Sequence, residues 1–185
     1  QLQMCIRDSL VAQPVNPPHL VTVVEISPSE WTDPHITKAT AAIMASIDQT
    51  PVTLQKEIPG FILNRLQGAM LNEALRLAQG GFATVDDIDK TVRDGLGLRW
   101  SFMGPFETID LNAPGGLADY AKRYGQMYQN MAQEQSQPPN WDEEAMAPLH
   151  HARRVELTMD RVARRQYWRD RQLAALAAHK QKQRL

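Results

Sequence analysis

The chain has 185 residues, 43% of them hydrophobic, enough to bury a core without disulfides or metals and to fill one domain, or one domain and part of another. A net charge of −1 gives no bulk electrostatic reason to expect a nucleic-acid or membrane partner, and one cysteine, Cys5, excludes an internal disulfide framework. No stretch approaches the roughly 20 apolar residues of a membrane span, and QLQMCIRDSL at the start lacks the apolar centre of a signal peptide, so a reducing cytoplasm is the expected compartment.

The first regular element is LVTVVEI, Leu20 to Ile26, a β-branched apolar run between Pro17-Pro18 and Ser27-Pro28 that reads as a buried strand. Thr32-Asp33-Pro34 marks a helix start, with Thr32 as cap and Pro34 in the first turn, and Ile36, Ala39, Ile43 and Ile47 give the helix its apolar stripe. PVTLQKE, from Pro51, reads as a second strand. Strand, helix and strand over about 35 residues form a βαβ unit and imply a parallel pair, which requires neighbours on both faces. A small two-stranded appendage is the alternative.

From Pro59 the pattern turns helical. Phe61, Leu66, Met70, Ala74, Leu75 and Ala78 share one stripe that Gly80-Gly81 ends. Thr84 caps a following helix, with Asp87 placed to reach back, that runs through Ile88, Val92 and Arg93 to Gly95. Helices begin near Phe106 and Leu117, and residues 133–142 read as an exposed loop. From Glu143 the chain is charged and helical, with a sparse stripe through Val155, Val162, Leu173 and Leu176 of the kind that lies across a larger body or a partner subunit. From Arg153 onward ten Lys/Arg face three Asp/Glu, a balance of +7; a solvated helix face is the simpler reading than a nucleic-acid surface.

Few residues announce chemistry by themselves. Gly95-Leu96-Gly97 lacks the third glycine and the preceding strand of a dinucleotide loop. His150 and His151 are adjacent, so one helix cannot aim both at one metal, and Asp86, Asp87 and Asp89 complement a helix start. No metal site is expected. Glu25 stands out because a carboxylate in an apolar strand is expensive to bury without a partner; a strand-end residue reaching water is the competing reading.

Several segments taken together resemble the 3-hydroxyacyl-CoA dehydrogenase family. Its motifs are a His-x-x-Asn-Pro-Pro-like turn, a strand ending in Val-Glu and a Gly-Phe-x-x-Asn-Arg helix. They correspond here to Gln13 with Asn16-Pro17-Pro18, to Val24-Glu25, and to Gly60-Phe61 with Asn64-Arg65. The separations, 12 positions from Gln13 to Glu25 and 39 from Glu25 to Asn64, agree with the family, and GLGLRWSFMGPFETIDLN resembles its next landmark. The tail from Ala163 to Lys182 is similar to that of the lambda-crystallin type, also known as L-gulonate 3-dehydrogenase.

That resemblance implies a mainly α chain: the last βαβ portion of a Rossmann-type NAD-binding domain over residues 10–57, then an all-α domain like the 6-phosphogluconate dehydrogenase C-terminal type over 58–185, through which such enzymes dimerise. Residues 1–9 are expected to be a foreign leader. The implied reaction is NAD-dependent oxidation of a small 3-hydroxy acid, such as L-gulonate, or an acyl-CoA. A His acts as general base in it, Glu25 as the acid orienting that base, and Asn64 as an amide that hydrogen-bonds the substrate oxygen or helps hold the His. The His position is occupied by Gln13, which can hold a hydroxyl but not take its proton; His19 is nearby but outside the motif position. With no Gly-x-Gly-x-x-Gly in the sequence, the resemblance implies NAD for the full-length family but no cofactor-binding residue and no useful NAD affinity here, and an inactive fragment. Arg65 and Arg99 are candidates for a substrate carboxylate. The alternative is a catalytically silent, dimer-forming helical module.

Overall fold

A computed structural model describes residues 7–183; Cys5 and residues 1–6 of the expected leader lie outside the described residues. The chain forms two compact units, residues 7–68 together with 163–183, and residues 69–162. It is mainly helical with one small sheet, the architecture of a Rossmann remnant followed by an all-α domain.

The sheet has three strands in the order β1-β2-β3, namely β1 (Leu10–Pro14), β2 (Val23–Pro28) and β3 (Thr50–Thr53). Helix α1 (Pro34–Ser46) connects β2 to β3 and packs on both, and the two strands run parallel as the βαβ reading requires. The apolar run of β2 is buried because β2 is central: Val24 and Ile26 are core residues, with Glu25 and Ser27 buried beside them. Strand β1 is absent from the predicted elements. It pairs antiparallel with β2, Leu10 facing Pro28 and Pro14 facing Val24. Its sequence, LVAQP, carries no clean alternation and ends on a proline, which an edge position tolerates because no further strand needs that N–H.

The start of α1 corrects the sequence reading. Asp33, not Thr32, is the cap, its Oδ1 accepting from the His35 amide at 2.7 Å, and Pro34 opens the first turn. Thr32 is buried and committed elsewhere: its hydroxyl donates to the Ser9 carbonyl at 2.6 Å and accepts from the Ser29 amide at 2.9 Å. The Asp33 amide also bonds the Arg7 carbonyl, so the segment before β1 is tied to the loop before α1. Along the predicted stripe Ile36 and Ala39 are half-buried, whereas Ile43 and Ile47 are each 59% exposed.

Helix α2 (Phe61–Gln79) passes from the first unit into the second. The Gly80-Gly81 stop works as expected: Gly81 takes a φ of 71°, and the Phe82 amide bonds the Leu77 carbonyl at 2.9 Å, capping the last turn from outside. In α3 (Val85–Lys90) the Thr84 hydroxyl accepts from the Asp87 amide and donates to the Asp87 carboxylate, so the acid reaches back to the hydroxyl rather than to the backbone. The single helix predicted to Gly95 is instead α3 followed by a π-helical turn, Thr91–Leu96, and the short α4 (Gly97–Trp100). Gly97 permits this wide turn, since a Cβ there would lie 2.9 Å from the Val92 carbonyl oxygen.

Helices α5 (Pro105–Leu111) and α6 (Gly116–Glu134) begin where the glycine-proline signals place them. The loop after α6 is strapped to α2, with Arg76 donating to the Gln135 and Gln137 carbonyls and Gln79 to that of Asn140. Then come α7 (Glu143–Glu156) and α8 (Val162–Gln183), separated by a 3₁₀ turn at Met159–Arg161. Among the described residues no helix is long and apolar enough to cross a membrane.

Candidate active site around Glu25

Glu25 is 2% exposed and sits in the middle of β2, so a hydrogen-bonded partner is obligatory. The partner is the N-terminus of α2. One carboxylate oxygen, Oε1, accepts from the Ile62 amide at 2.8 Å and from the Leu63 amide at 3.0 Å. These are two of the amides that a helix cannot satisfy from within, and the positive end of the helix dipole favours the negative charge they hold. A remote side chain therefore does the work of an N-cap. The helix entry is built for it: Gly60 and Phe61 both take positive φ, 84° and 53°, so the chain turns sharply before the first helical residues. Glycine adopts such a value without penalty, whereas Phe61 adopts it against the ordinary steric preference.

Gln13 is the antiparallel partner of Glu25 across β1 and β2. Directly opposed residues on paired strands project to the same face with Cβ atoms about 4.5–5.5 Å apart, which puts position 13 beside the buried carboxylate. Gln13 itself is exposed. Asn64 follows Leu63 in the first turn of α2 and is also exposed. The fold thus gathers the Gln13 position, Glu25 and the helical turn bearing Asn64, although among the described residues no hydrogen bond joins the three side chains. His19 is exposed in the β1–β2 connection, away from the register position opposite Glu25. Of the candidate arginines, Arg65 donates to the Pro59 carbonyl at 3.5 Å, and Arg99 is exposed.

The burial of Glu25 has a different answer from the one expected. Its close partners are backbone amides, not a side chain at position 13. A signal for this exists in the sequence: Pro59-Gly60 precedes α2 with no Ser, Thr, Asp or Asn at the cap, so the helix requires an acceptor from elsewhere.

The same geometry bears on NAD. A dinucleotide needs a glycine-rich turn from a strand into a helix, where the backbone can approach the pyrophosphate. The turn from β2 into α1, Ser29 to Asp33, contains no glycine, and the one from β3 into α2 contains Gly60 alone. The first of α2's free amides are already occupied by Glu25. Neither of these two strand-to-helix turns supplies a glycine-rich pyrophosphate turn.

Comparison with known proteins adds the family. Residues 60–157 match the model of the 3-hydroxyacyl-CoA dehydrogenase C-terminal domain, and residues 6–58 match that of the same family's NAD binding domain. The chain belongs to the 3-hydroxyacyl-CoA dehydrogenase family. It is 38% identical over 174 residues to lambda-crystallin of Oryctolagus cuniculus, covering 93% of this chain and 54% of that protein, and 41% identical to the lambda-crystallin homolog of Bos taurus over the same shares. An L-carnitine dehydrogenase of Streptomyces griseus is 39% identical over 63% of this chain and 35% of its own length. The chain spans about half the length of the curated lambda-crystallin relatives it matches. Among solved structures, an NAD+-dependent 5-formyl-3-hydroxy-2-methylpyridine 4-carboxylic acid 5-dehydrogenase shares the fold with a TM-score of 0.74 at 22% identity, covering 91% of this chain and 55% of that one. A 3-hydroxyacyl-CoA dehydrogenase of Archaeoglobus fulgidus matches with a TM-score of 0.57 at 26% identity, over 71% and 44%.

Proposed function

We propose that this chain is a portion of an NAD-dependent dehydrogenase of small 3-hydroxy acids, of the lambda-crystallin type, inactive by itself because it carries the orienting side of the site without its base. The observation that carries this reading is Glu25, buried at 2% exposure, held by two backbone amides and paired across the strands with position 13. A carboxylate so fixed can orient an imidazole placed opposite it and stabilise the imidazolium formed when that ring takes a hydroxyl proton. Gln13 can donate and accept hydrogen bonds but has no proton affinity near neutral pH, so it positions a hydroxyl and goes no further. Asn64, on the turn that grips Glu25, supplies an amide to the substrate oxygen. We assign residues 10–57 to the end of the nucleotide-binding domain and 58–185 to the helical domain, and place the protein in the cytoplasm.

The test is to join the chain to the N-terminal half of a lambda-crystallin relative and to follow NADH formation with L-gulonate and 3-hydroxybutyrate, with Gln13 and with Gln13→His. General-base catalysis contributes about 10²- to 10⁴-fold, so the His variant should exceed the parent by at least the lower figure. Removing Glu25 from that variant should take most of the gain away. A Gln13→His chimera as inactive as its parent refutes the assignment.

The second reading is a silent dimer-forming module. Helix α6 carries Tyr124, Met127, Tyr128 and Met131, each more than 40% exposed, at the spacing of one helix face. That stripe suits a second copy, and dimerisation is compatible with either reading.

A further inference from the structure

Within residues 69–162, helices α2, α3 and α7 line an open cavity of about 420 Å³. Its volume falls in the range of about 300–1,000 Å³ typical of small-molecule sites. The wall is aliphatic: Leu71 and Leu75 from α2, Val85 and Ile88 from α3, and Met146 and Leu149 from α7. Trp141 closes one edge with its indole fixed, the ring N–H donating to Asn72 Oδ1 at 3.1 Å. The ionisable lining residues are Asp89, His150, Arg153 and Arg154. Asp89 is committed to Arg153, at 3.5 Å. Arg154 has no such acid. Its Nη1 meets only the thioether of Met159, at 3.0 Å, and its Nε is shielded from solvent with no hydrogen-bond acceptor among the described residues. Sulfur is a weak acceptor, and arginine cannot shed its proton to relieve an unmet donor.

We propose that this cavity binds an amphipathic monoanion, a carboxylate on an apolar body of several carbons, with the carboxylate on Arg154 and the body against the aliphatic wall. The pairing of Asp89 with Arg153 leaves Arg154 as the arginine of the lining without an acid, which favours one negative charge on the ligand. The guanidinium favours an anionic acceptor, because its Nη1 meets only a weak thioether acceptor. The wall selects the apolar body. This inference stands on a different part of the chain from Glu25 and does not rest on the proposed function.

The test uses the full ¹⁵N-labelled chain, reading the indole N–H signals of its four tryptophans, with Trp141 identified by Trp141→Phe. Octanoate should shift the Trp141 signal saturably. Acetate should leave it unmoved, and octanol should bind at least about tenfold more weakly, as expected for loss of a charge-assisted hydrogen bond. Arg154→Gln should weaken octanoate binding by a similar factor without changing octanol binding. Ala78→Phe, which fills the aliphatic end, should abolish both; should that variant fail to fold by circular dichroism, the Arg154→Gln comparison decides alone. The proposal is overturned by the absence of a saturable shift with octanoate, by equal binding of octanol and octanoate, or by parental octanoate affinity in Arg154→Gln. It is also overturned if a second copy occupies the cavity, in which case Ala78→Phe yields monomer in sedimentation while octanoate never moves Trp141.

Discussion

Replacing Glu25 by alanine removes the acceptor that two buried-end amides of α2 share, at 2.8 and 3.0 Å, from a residue only 2% exposed. Hydrogen bonds to a charged group contribute about 1.5–3 kcal/mol, and a donor left unmet in a buried place costs about 1–3 kcal/mol. Because one oxygen serves both amides the two are not additive, and a loss of about 3 kcal/mol is expected for Glu25→Ala from these ranges. Glu25→Gln keeps an acceptor of the same shape but loses the charge facing the helix dipole, worth about 0.3–2 kcal/mol, so about 1 kcal/mol is expected. Urea unfolding at neutral pH measures both, and hydrogen exchange locates the effect: the Ile62 and Leu63 amides should lose protection in Glu25→Ala. A Glu25→Ala chain within about 0.5 kcal/mol of the parent, the size of an ordinary surface substitution, with unchanged exchange at those amides, refutes the view that this carboxylate caps α2.

Gly60→Ala should destabilise by about 1–2 kcal/mol in the same unfolding measurement, the penalty of a side chain in the left-handed region. The penalty is one of backbone conformation, since a Cβ at Gly60 would meet its nearest neighbour, Arg65 Cγ, at an ordinary 3.5 Å. Asp142 caps α7, and the Ala145 amide on Oδ1, with the Asn140 amide group beside it, holds its carboxyl below the usual carboxylate range. A pKa lowered by folding stabilises above the unfolded value, about 3.9, and that contribution disappears as pH falls through the lowered folded value. Melting temperature followed from pH 6 to pH 2 should therefore fall less steeply in Asp142→Asn than in the parent; identical slopes contradict the capping role.

Much of this fold is local and was legible as such. The β-branched run of β2, the proline at the start of α1 and the paired glycines after α2 act through the conformational preferences of single residues, which hold wherever the chain folds. The motif spacing also disclosed the family. Strand β1 was hidden because an edge strand of mixed character is stabilised by pairing rather than by its own pattern. The π turn before α4 was hidden because a helical stripe does not distinguish one extra residue per turn.

The amino-acid order by itself marked Glu25 as a carboxylate in an apolar strand, which must either reach water or find a partner. Only the tertiary structure decided that it is buried, and which partner it has. The free amides of a helix start belong to no particular residue type, so nothing in the letters Ile62 and Leu63 marks them as donors. They become an anion site through the turn at Gly60-Phe61, which aims the start of α2 at β2 from 37 positions away. The cavity beside Arg154 has the same origin: three amphipathic helices each specify an apolar face, but how closely they meet is set by packing, and the unmet guanidinium follows from that packing.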